Sequence, residues 1–405
     1  MSAATRGPAL LAALQASDVR RPCAVVDLDA FDANLARLVQ PLRPGQTLRV
    51  ASKSLRVPAL LRRALQHDAV QGILGFHVDE VALLAQEGLL DELGPLGMLV
   101  AYPPGPDDVG AYAALTAAHV PPIWAAVDGP EAVRALGTAA VQAGTEVQVC
   151  IDLDLSLRPA PKLHLGVRRS PIRSVADALA LADVIAATDG VRLTALLGYE
   201  AQIAGIQDRA GAGLAARATD WVMKGIKARS RTQVLERRRA VVDALEARGV
   251  ELTVVNGGGT GSVDFTATDA SITEIAAGSG LLCPHLFDGY AGLDLQPAAF
   301  FALSVVRCSD PGFATLFGGG WVASGSAGPD RLPQPWWPAV DLVGLEGAGE
   351  VQTPVVGTLS WGDTVLFRHA KSGELFEHTA DVALIQGGAV VDVVPTYRGL
   401  HSRFG

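Results

Sequence analysis

The residues best suited to chemistry are one lysine behind a short apolar run and two glycine-rich stretches far along the chain. Lys53 stands in RVASKSLRVP, directly after TLRVA. At the C-terminal end of a strand in an α/β barrel, a lysine points into the mouth. Desolvation there favours the neutral, nucleophilic amine. Residues 254–262 read VVNGGGTGS, a run that contains Asn256, Gly258, Gly259 and Thr260. Its glycines leave backbone N–H groups unobstructed, so the loop can surround a phosphate without a cationic side chain. AAGSG at 276–280, with Gly278 and Ser279, offers a second small-residue loop. One glycine-rich turn would be explained by its dihedral needs alone. Two of them, after what the pattern makes the seventh and eighth strands, fit the recurrent phosphate site of barrels. Tyr199 in LLGYEAQ closes the sixth strand, where it can stack on a planar ring or simply fill the core. Arg158 and Arg168 follow the fifth strand. A cation there can approach a ring or a carboxylate, and one of the two is read as a solvated loop charge.

These positions require an alternating scaffold, and the chain supplies one. Strand-like apolar runs fall at 47–51, 72–76, 97–102, 122–127, 147–152, 193–199, 252–256 and 272–277. Amphipathic stretches such as HVDEVALLAQEG and SVADALALADVIAA separate them, several starting after Asp, Ser or Pro and stopping at Gly. Continuous apolar strands of this kind suit a parallel sheet covered on its outside. Eight of them with helices between predict a (β/α)₈ barrel, with an open doubly wound sheet as the alternative. After about residue 290 the texture turns to β-branched runs and Gly-Gly turns, which reads as a β domain. GPDRLPQPWWP within it reads as a proline-rich connecting loop. The expected organisation is an N-terminal segment 1–25 that packs on the β domain, a barrel over 26–288, and a C-terminal β domain over 289–405.

Composition narrows the function classes. With 49% hydrophobic and 19% charged residues the chain is an ordinary globular protein rather than a disordered one. A net charge of -9 with interspersed signs disfavours nucleic acid or an anionic membrane surface as partner. An anionic cofactor would then need a local backbone device, which the glycine loops provide. Cys23, Cys150, Cys283 and Cys308 lie far apart without CxxC spacing and read as reduced thiols. No segment approaches the roughly 20 uninterrupted apolar residues of a membrane span, and no signal peptide is read at the start. The expected location is the cytoplasm.

PCAVVDLDAFDANLARL at 22–38, the lysine in VASKS, AYPP, LLGYEAQ, NGGGTGS and EIAAGS occur in a telling order. In that order the chain resembles the fold-type III pyridoxal-phosphate enzymes with the alanine-racemase-like barrel. Within them it is similar to the D-threonine aldolase and D-serine dehydratase branch, and to proteins described as amino acid deaminase/aldolase. The resemblance runs from about residue 20 to the C-terminus, with firm motifs through 290. It implies that Lys53 is the Schiff-base lysine and that Gly258, Gly259, Thr260, Gly278 and Ser279 hold the phosphate of pyridoxal 5'-phosphate. Asn256 joins the cofactor-binding set, and Tyr199 lies beside the ring.

The resemblance further implies a lyase (dehydratase, deaminase or aldolase) acting on a small β-hydroxy amino acid of D configuration. An amino-acid racemase is the nearest alternative. A non-catalytic protein of cofactor homeostasis is the alternative from another class, disfavoured by the β domain. A homodimer with the active site at the subunit interface is also implied. The β domain is where the chain departs from this branch, whose members carry a His-x-Cys or His-x-Asp pair that binds a divalent metal. Here the stretch reads Arg368-His369-Ala370-Lys371, and an ammonium cannot coordinate a metal. His369 and Lys371 are therefore expected to face the cofactor from the partner's β domain and to act without a metal, His369 remaining a candidate ligand.

Overall fold

The computed structural model describes residues 3–160, 162–207 and 214–404. Its first strand, β1 (Cys23–Asp27), precedes the barrel and lies apart from it. The barrel strands are β2 (Thr47–Ala51), β3 (Val70–Gly75), β4 (Met98–Val100), β5 (Ile123–Val127) and β6 (Val147–Asp152). A small hairpin follows, β7 (Leu157–Ala160) with β8 (Leu163–Leu165). The barrel then continues with β9 (Val191–Gly198), β10 (Val254–Gly257) and β11 (Glu274–Ala277). Among the described residues, these eight parallel strands close in the order β10-β11-β2-β3-β4-β5-β6-β9. Closure is what the eight alternating apolar runs predict, and it disposes of the open doubly wound sheet.

Local chemistry explains the alternation. Asp27 caps the helix Leu28–Val39 by accepting from the Ala30 N–H at 3.2 Å. Ser174 and Asp177 form a reciprocal capping box on the helix Val175–Ala186, and prolines open the helices at Pro58 and Pro130. Within each strand the side chains alternate. Ile123, Ala125 and Val127 face the helix layer, whereas Trp124 joins Leu99, Cys150, Leu197 and Val254 inside the barrel. A buried ion pair shares this interior. Arg49 pairs with Glu274, donates to the Ile73 and Gly97 carbonyls at 3.1 Å, and sits 5.6 Å from the Trp124 ring. Asn256, which donates to Glu274 at 2.7 Å, links this pair to the barrel mouth.

The remaining strands are β12 (Ala299–Arg307), β13 (Phe313–Phe317), β14 (Gln334–Trp337), β15 (Asp341–Leu342), β16 (Gln352–Val356), β17 (Thr364–Arg368), β18 (Asp381–Gln386) and β19 (Ala389–Pro395). They build a second sheet in the order β15-β16-β13-β12-β1-β18-β19, with β17 also on β12 and β14 on β17. β1 enters it antiparallel to β12 and parallel to β18. The expected barrel starts at residue 26; residues 26 and 27 close β1 instead, and the barrel's first strand is β2. The proline-rich stretch read as a connecting loop contains β14, which pairs with β17 from Gln334 to Trp337. An edge strand tolerates Pro335 because only one of its sides needs N–H donors. Among the described residues, no helix is long and apolar enough to cross a membrane.

Candidate active site

The barrel mouth opens into a cavity of about 810 Å³ lined from both parts of the chain. Lys53 reaches it from a tight turn over Ser52–Ser54, closed by the Leu55 N–H donating to the Ser52 carbonyl at 2.8 Å. Ser52 anchors that turn by donating to the Leu74 carbonyl at 3.1 Å. Nζ of Lys53 donates to the phenolic oxygen of Tyr102 at 2.9 Å. Tyr102 stands two residues beyond β4.

The glycine loops follow β10 and β11, and because β11 pairs with β2 they meet the lysine turn from the adjoining side. The Ser54 and Ser279 hydroxyls are 2.9 Å apart, and the Gly280 N–H donates to Oγ1 of Thr260 at 3.0 Å. Both loops are packed to the limit that glycine allows. A Cβ on Gly278 would sit 2.7 Å from the Ala51 carbonyl oxygen, and one on Gly259 would sit 3.0 Å from the Tyr199 ring. Among the described residues, no acceptor takes the N–H groups of Gly259, Thr260 or Ser279. Small residues with free donors around a deep mouth fit the phosphate of a compact anionic cofactor. Gly258 differs, because its N–H is already given to the buried Glu200 carboxylate at 2.9 Å. Its φ of +90° and the Ile275 methyl, 2.6 Å from a Cβ there, make it a structural glycine. Asn256 lines the cavity, with Nδ2 donating to Glu274 at 2.7 Å and Oδ1 buried without a partner among the described residues.

Of the arginines, neither one named from the sequence enters. Arg158 lies 3.6 Å from Asp154, and Arg168 is exposed and does not line the cavity. Arg169 takes the place, its guanidinium 5.3 Å from the Tyr102 ring and 5.8 Å from that of Tyr199. Adjacent residues on an extended segment face opposite ways, and no local pattern tells which of the pair 168–169 faces inward.

The electrostatics follow from this packing. Burial pushes the Tyr199 phenol up, with Arg169 opposing. At Tyr102 burial acts the same way, but the Lys53 charge, the Lys53 hydrogen bond and Arg169 outweigh it, and the net shift is downward. Asp152 closes β6 in the cavity wall. Burial and then the Asp128 charge push its carboxyl up to about 7, against Arg169. Tyr102 falls in the AYPP motif without a role assigned to it there, and no motif singles out Arg169 or Asp152. Tyr102 and Asp152 lie at or just past the ends of barrel strands, so the strand-end rule that selects Lys53 is the signal that could find them.

The loop after β17 covers one side of the mouth. The Ser372 hydroxyl donates to the Ser279 carbonyl at 2.9 Å, Arg56 pairs with Glu377, and a Cβ on Gly373 would overlap the Lys53 carbonyl. Lys371 lines the cavity, its Nζ donating to Ser324 at 2.7 Å and lying 4.0 Å from Glu374. This loop belongs to the same chain as the barrel it covers, so Lys371 needs no partner subunit to reach the mouth. His369 is 3% exposed and does not line the cavity. Its Nδ1 accepts from the Lys371 N–H at 3.1 Å, and burial lowers its pKa. Two residues apart on a strand, the pair would share a face. β17 ends at Arg368, however, and the turn beyond it sends the imidazole inward and the ammonium to the cavity. Among the described residues, no group of three or more His, Cys, Asp or Glu is placed to hold a metal ion.

Residues 26–283 match the family described as Alanine racemase, N-terminal domain, which is well over half of the chain. The chain belongs to this family. A D-threonine aldolase from an Arthrobacter species is 28% identical over 280 residues, covering 68% of this chain and 65% of that protein. The match thus spans just under two thirds of the relative's length. Among solved structures, a D-threonine aldolase from Filomicrobium marinum superposes with a TM-score of 0.77 at 21% identity, over 95% of this chain and 97% of that one. D-threo-3-hydroxyaspartate dehydratase from Delftia sp. HT23 gives 0.69 at 18%, over 94% and 98%. An alanine racemase of Clostridium difficile 630 gives 0.65 at 13%, over 94% and 99%. At these identities the likeness is one of fold. It extends the family match past the barrel to the β-rich C-terminal part.

Proposed function

We propose that this chain is a pyridoxal-phosphate-dependent lyase acting on a small β-hydroxy amino acid of D configuration. The observation that carries the reading is the amine of Lys53 at the mouth of the cavity, facing two small-residue loops with free N–H donors. The names of the aldolase relative and of the aldolase and dehydratase neighbours support the same reaction class.

Gly259, Thr260, Gly278 and Ser279 would hold the phosphate, Lys53 the aldehyde carbon, and Tyr199 one side of the ring. Bound there, the cofactor supplies an electron sink for the bonds at the amino acid's Cα. The amine of Lys53 would be the base at hand for the α-proton. Arg169, which lies over the rings of Tyr102 and Tyr199 and acts on Asp152 only through space, suits the substrate carboxylate. Lys371 stands at the rim as a cation for a leaving or ionising hydroxyl. The working form is taken as a cytoplasmic homodimer, a reading supported by free cysteines and by the exposed Phe313, Phe317 and Val356 on one face of the paired β13 and β16.

The test combines cofactor mapping with a substrate panel. Borohydride should fix the cofactor to Lys53, and Lys53→Ala should lose both the link and turnover. Label on another lysine would overturn the reading. D- and L-serine and threonine are then assayed for keto acid, aldehyde and enantiomer. Exchange of enantiomers without cleavage would select the racemase reading, and cofactor binding without any turnover the homeostasis reading.

A further inference from the structure

Just past the third barrel strand stands a tyrosine that the reaction proposed above does not use. The Tyr102 oxygen accepts a hydrogen bond from Nζ of Lys53 at 2.9 Å. The same Nζ lies 5.5 Å from the Tyr102 ring centre, and the Arg169 guanidinium lies 5.3 Å from it. The charged and titratable groups facing this phenol are Lys53 from the turn after β2, Arg169 from the segment after β8, Asp152 at the end of β6, and Tyr199 after β9. Two of these are cations set against one carboxylate, and that carboxylate is itself pushed up to about 7 by burial.

We propose that Tyr102 is a second acid–base group of the site, exchanging a proton directly with Nζ of Lys53. In the forward sense an N–H bond of the Lys53 ammonium breaks and its electron pair stays on nitrogen. A lone pair of the Tyr102 phenolate forms the new O–H bond, and the proton then leaves through the cavity mouth. The reverse transfer recharges the lysine. No oxidant or further reactant takes part. The geometry suits direct transfer, since donor and acceptor already stand at hydrogen-bond distance. Cationic neighbours favour the phenolate against the desolvation that burial imposes, which is the balance that brings its ionisation below the ordinary tyrosine range. A base that takes a proton from substrate must pass it on before its next cycle, and Tyr102 is the group in contact with that base.

The proposal rests on the lyase reading for its consequence in turnover, but its first test needs no cofactor. On the cofactor-free chain, the phenolate absorbance of wild type minus that of Tyr102→Phe should show one phenol ionising below the ordinary tyrosine range. In Arg169→Met that limb should move to higher pH. The second test follows exchange of the α-hydrogens of glycine with heavy water by proton NMR on the holoenzyme. Wild type should exchange them, and Tyr102→Phe should do so on the order of 100-fold more slowly at unchanged cofactor content. The pH profile of exchange should also lose the limb seen in the absorbance titration. Equal rates and superposable profiles for the two proteins would overturn the role of Tyr102, as would a difference titration with no early limb. Failure of wild type to exchange glycine would instead overturn the pyridoxal chemistry, and this role with it. A purely structural tyrosine would change cofactor content or stability and leave the pH profile in place.

Discussion

Replacing Glu200 probes how the phosphate loop is held, because a single buried carboxylate ties that loop to the barrel wall. Glu200 is 0% exposed. One oxygen accepts from the Gly258 N–H at 2.9 Å and from Arg238 at 3.0 Å, and the other accepts from the Thr266 hydroxyl. Arg238 is itself buried and keeps a second carboxylate, Asp269, at 2.7 Å. In Glu200→Gln, the amide oxygen can serve Gly258 and Arg238 while the amide nitrogen donates to the Thr266 oxygen. The bonds survive but the charge assistance does not, a loss of about 1–2 kcal/mol. In Glu200→Ala the Gly258 N–H loses its acceptor and Arg238 loses one of its two carboxylates, although Thr266 keeps the Ser262 carbonyl at 3.0 Å and Arg238 keeps the Gly198 carbonyl at 3.1 Å. That costs about 3–5 kcal/mol, a large part of a typical folding free energy. The cofactor should report the same order. With every 1.4 kcal/mol a factor of ten in affinity, the alanine variant should bind pyridoxal phosphate at least about tenfold more weakly, and the glutamine variant within about threefold of wild type. Thermal denaturation with and without added cofactor, together with absorbance titration of its affinity, measures both. Equal losses in the two variants, or unchanged cofactor affinity in the alanine variant, would refute this account of the loop.

Two further outcomes concern the mouth and its surroundings. Lys371→Met should lower turnover at least about tenfold while leaving cofactor content intact, and wild-type activity should survive exhaustive chelation; inhibition by chelator that zinc or manganese reverses would favour a metal-assisted route. Glu80, buried behind the lysine turn and accepting from the Phe76 N–H and the Tyr397 hydroxyl, is pushed by burial from the usual 4.5 up to about 7. The folded chain therefore keeps a proton that the unfolded chain releases, and this contribution is full below about 4.5 and lost as pH rises through about 7. Glu80→Gln should flatten that part of the pH dependence, on the order of 3 kcal/mol, seen as melting curves of the two proteins that diverge between those limits. Parallel curves would count against it.

The sequence by itself determined the elements and the chemistry of their ends. Eight apolar runs alternating with amphipathic stretches favoured a barrel over an open doubly wound sheet, and closure of the strands decided between them. Lys53 and the loops at 256–260 and 278–279 were legible because strand ends line a barrel's mouth and glycine runs expose donors. Three matters waited for the tertiary structure, each for a definite physical reason. Which arginine enters depended on the facing of neighbours along an irregular segment, and Arg169 rather than Arg158 or Arg168 reached the rings. Whether Gly258 offers its N–H was settled by Glu200, which belongs to another strand's end and has no sequence-local sign of its partner. The β-domain pair divided, Lys371 turning to the cavity and His369 into the core, because the chain leaves β17 at Arg368 and bends onto Ser279, where strand alternation no longer holds. The N-terminal segment, expected on the β domain, takes its register only from the long-range pairing of Cys23–Asp27 with β12 and β18. Periodicity reports what one segment needs to bury, whereas contacts between segments hundreds of residues apart decide which side chains share a site.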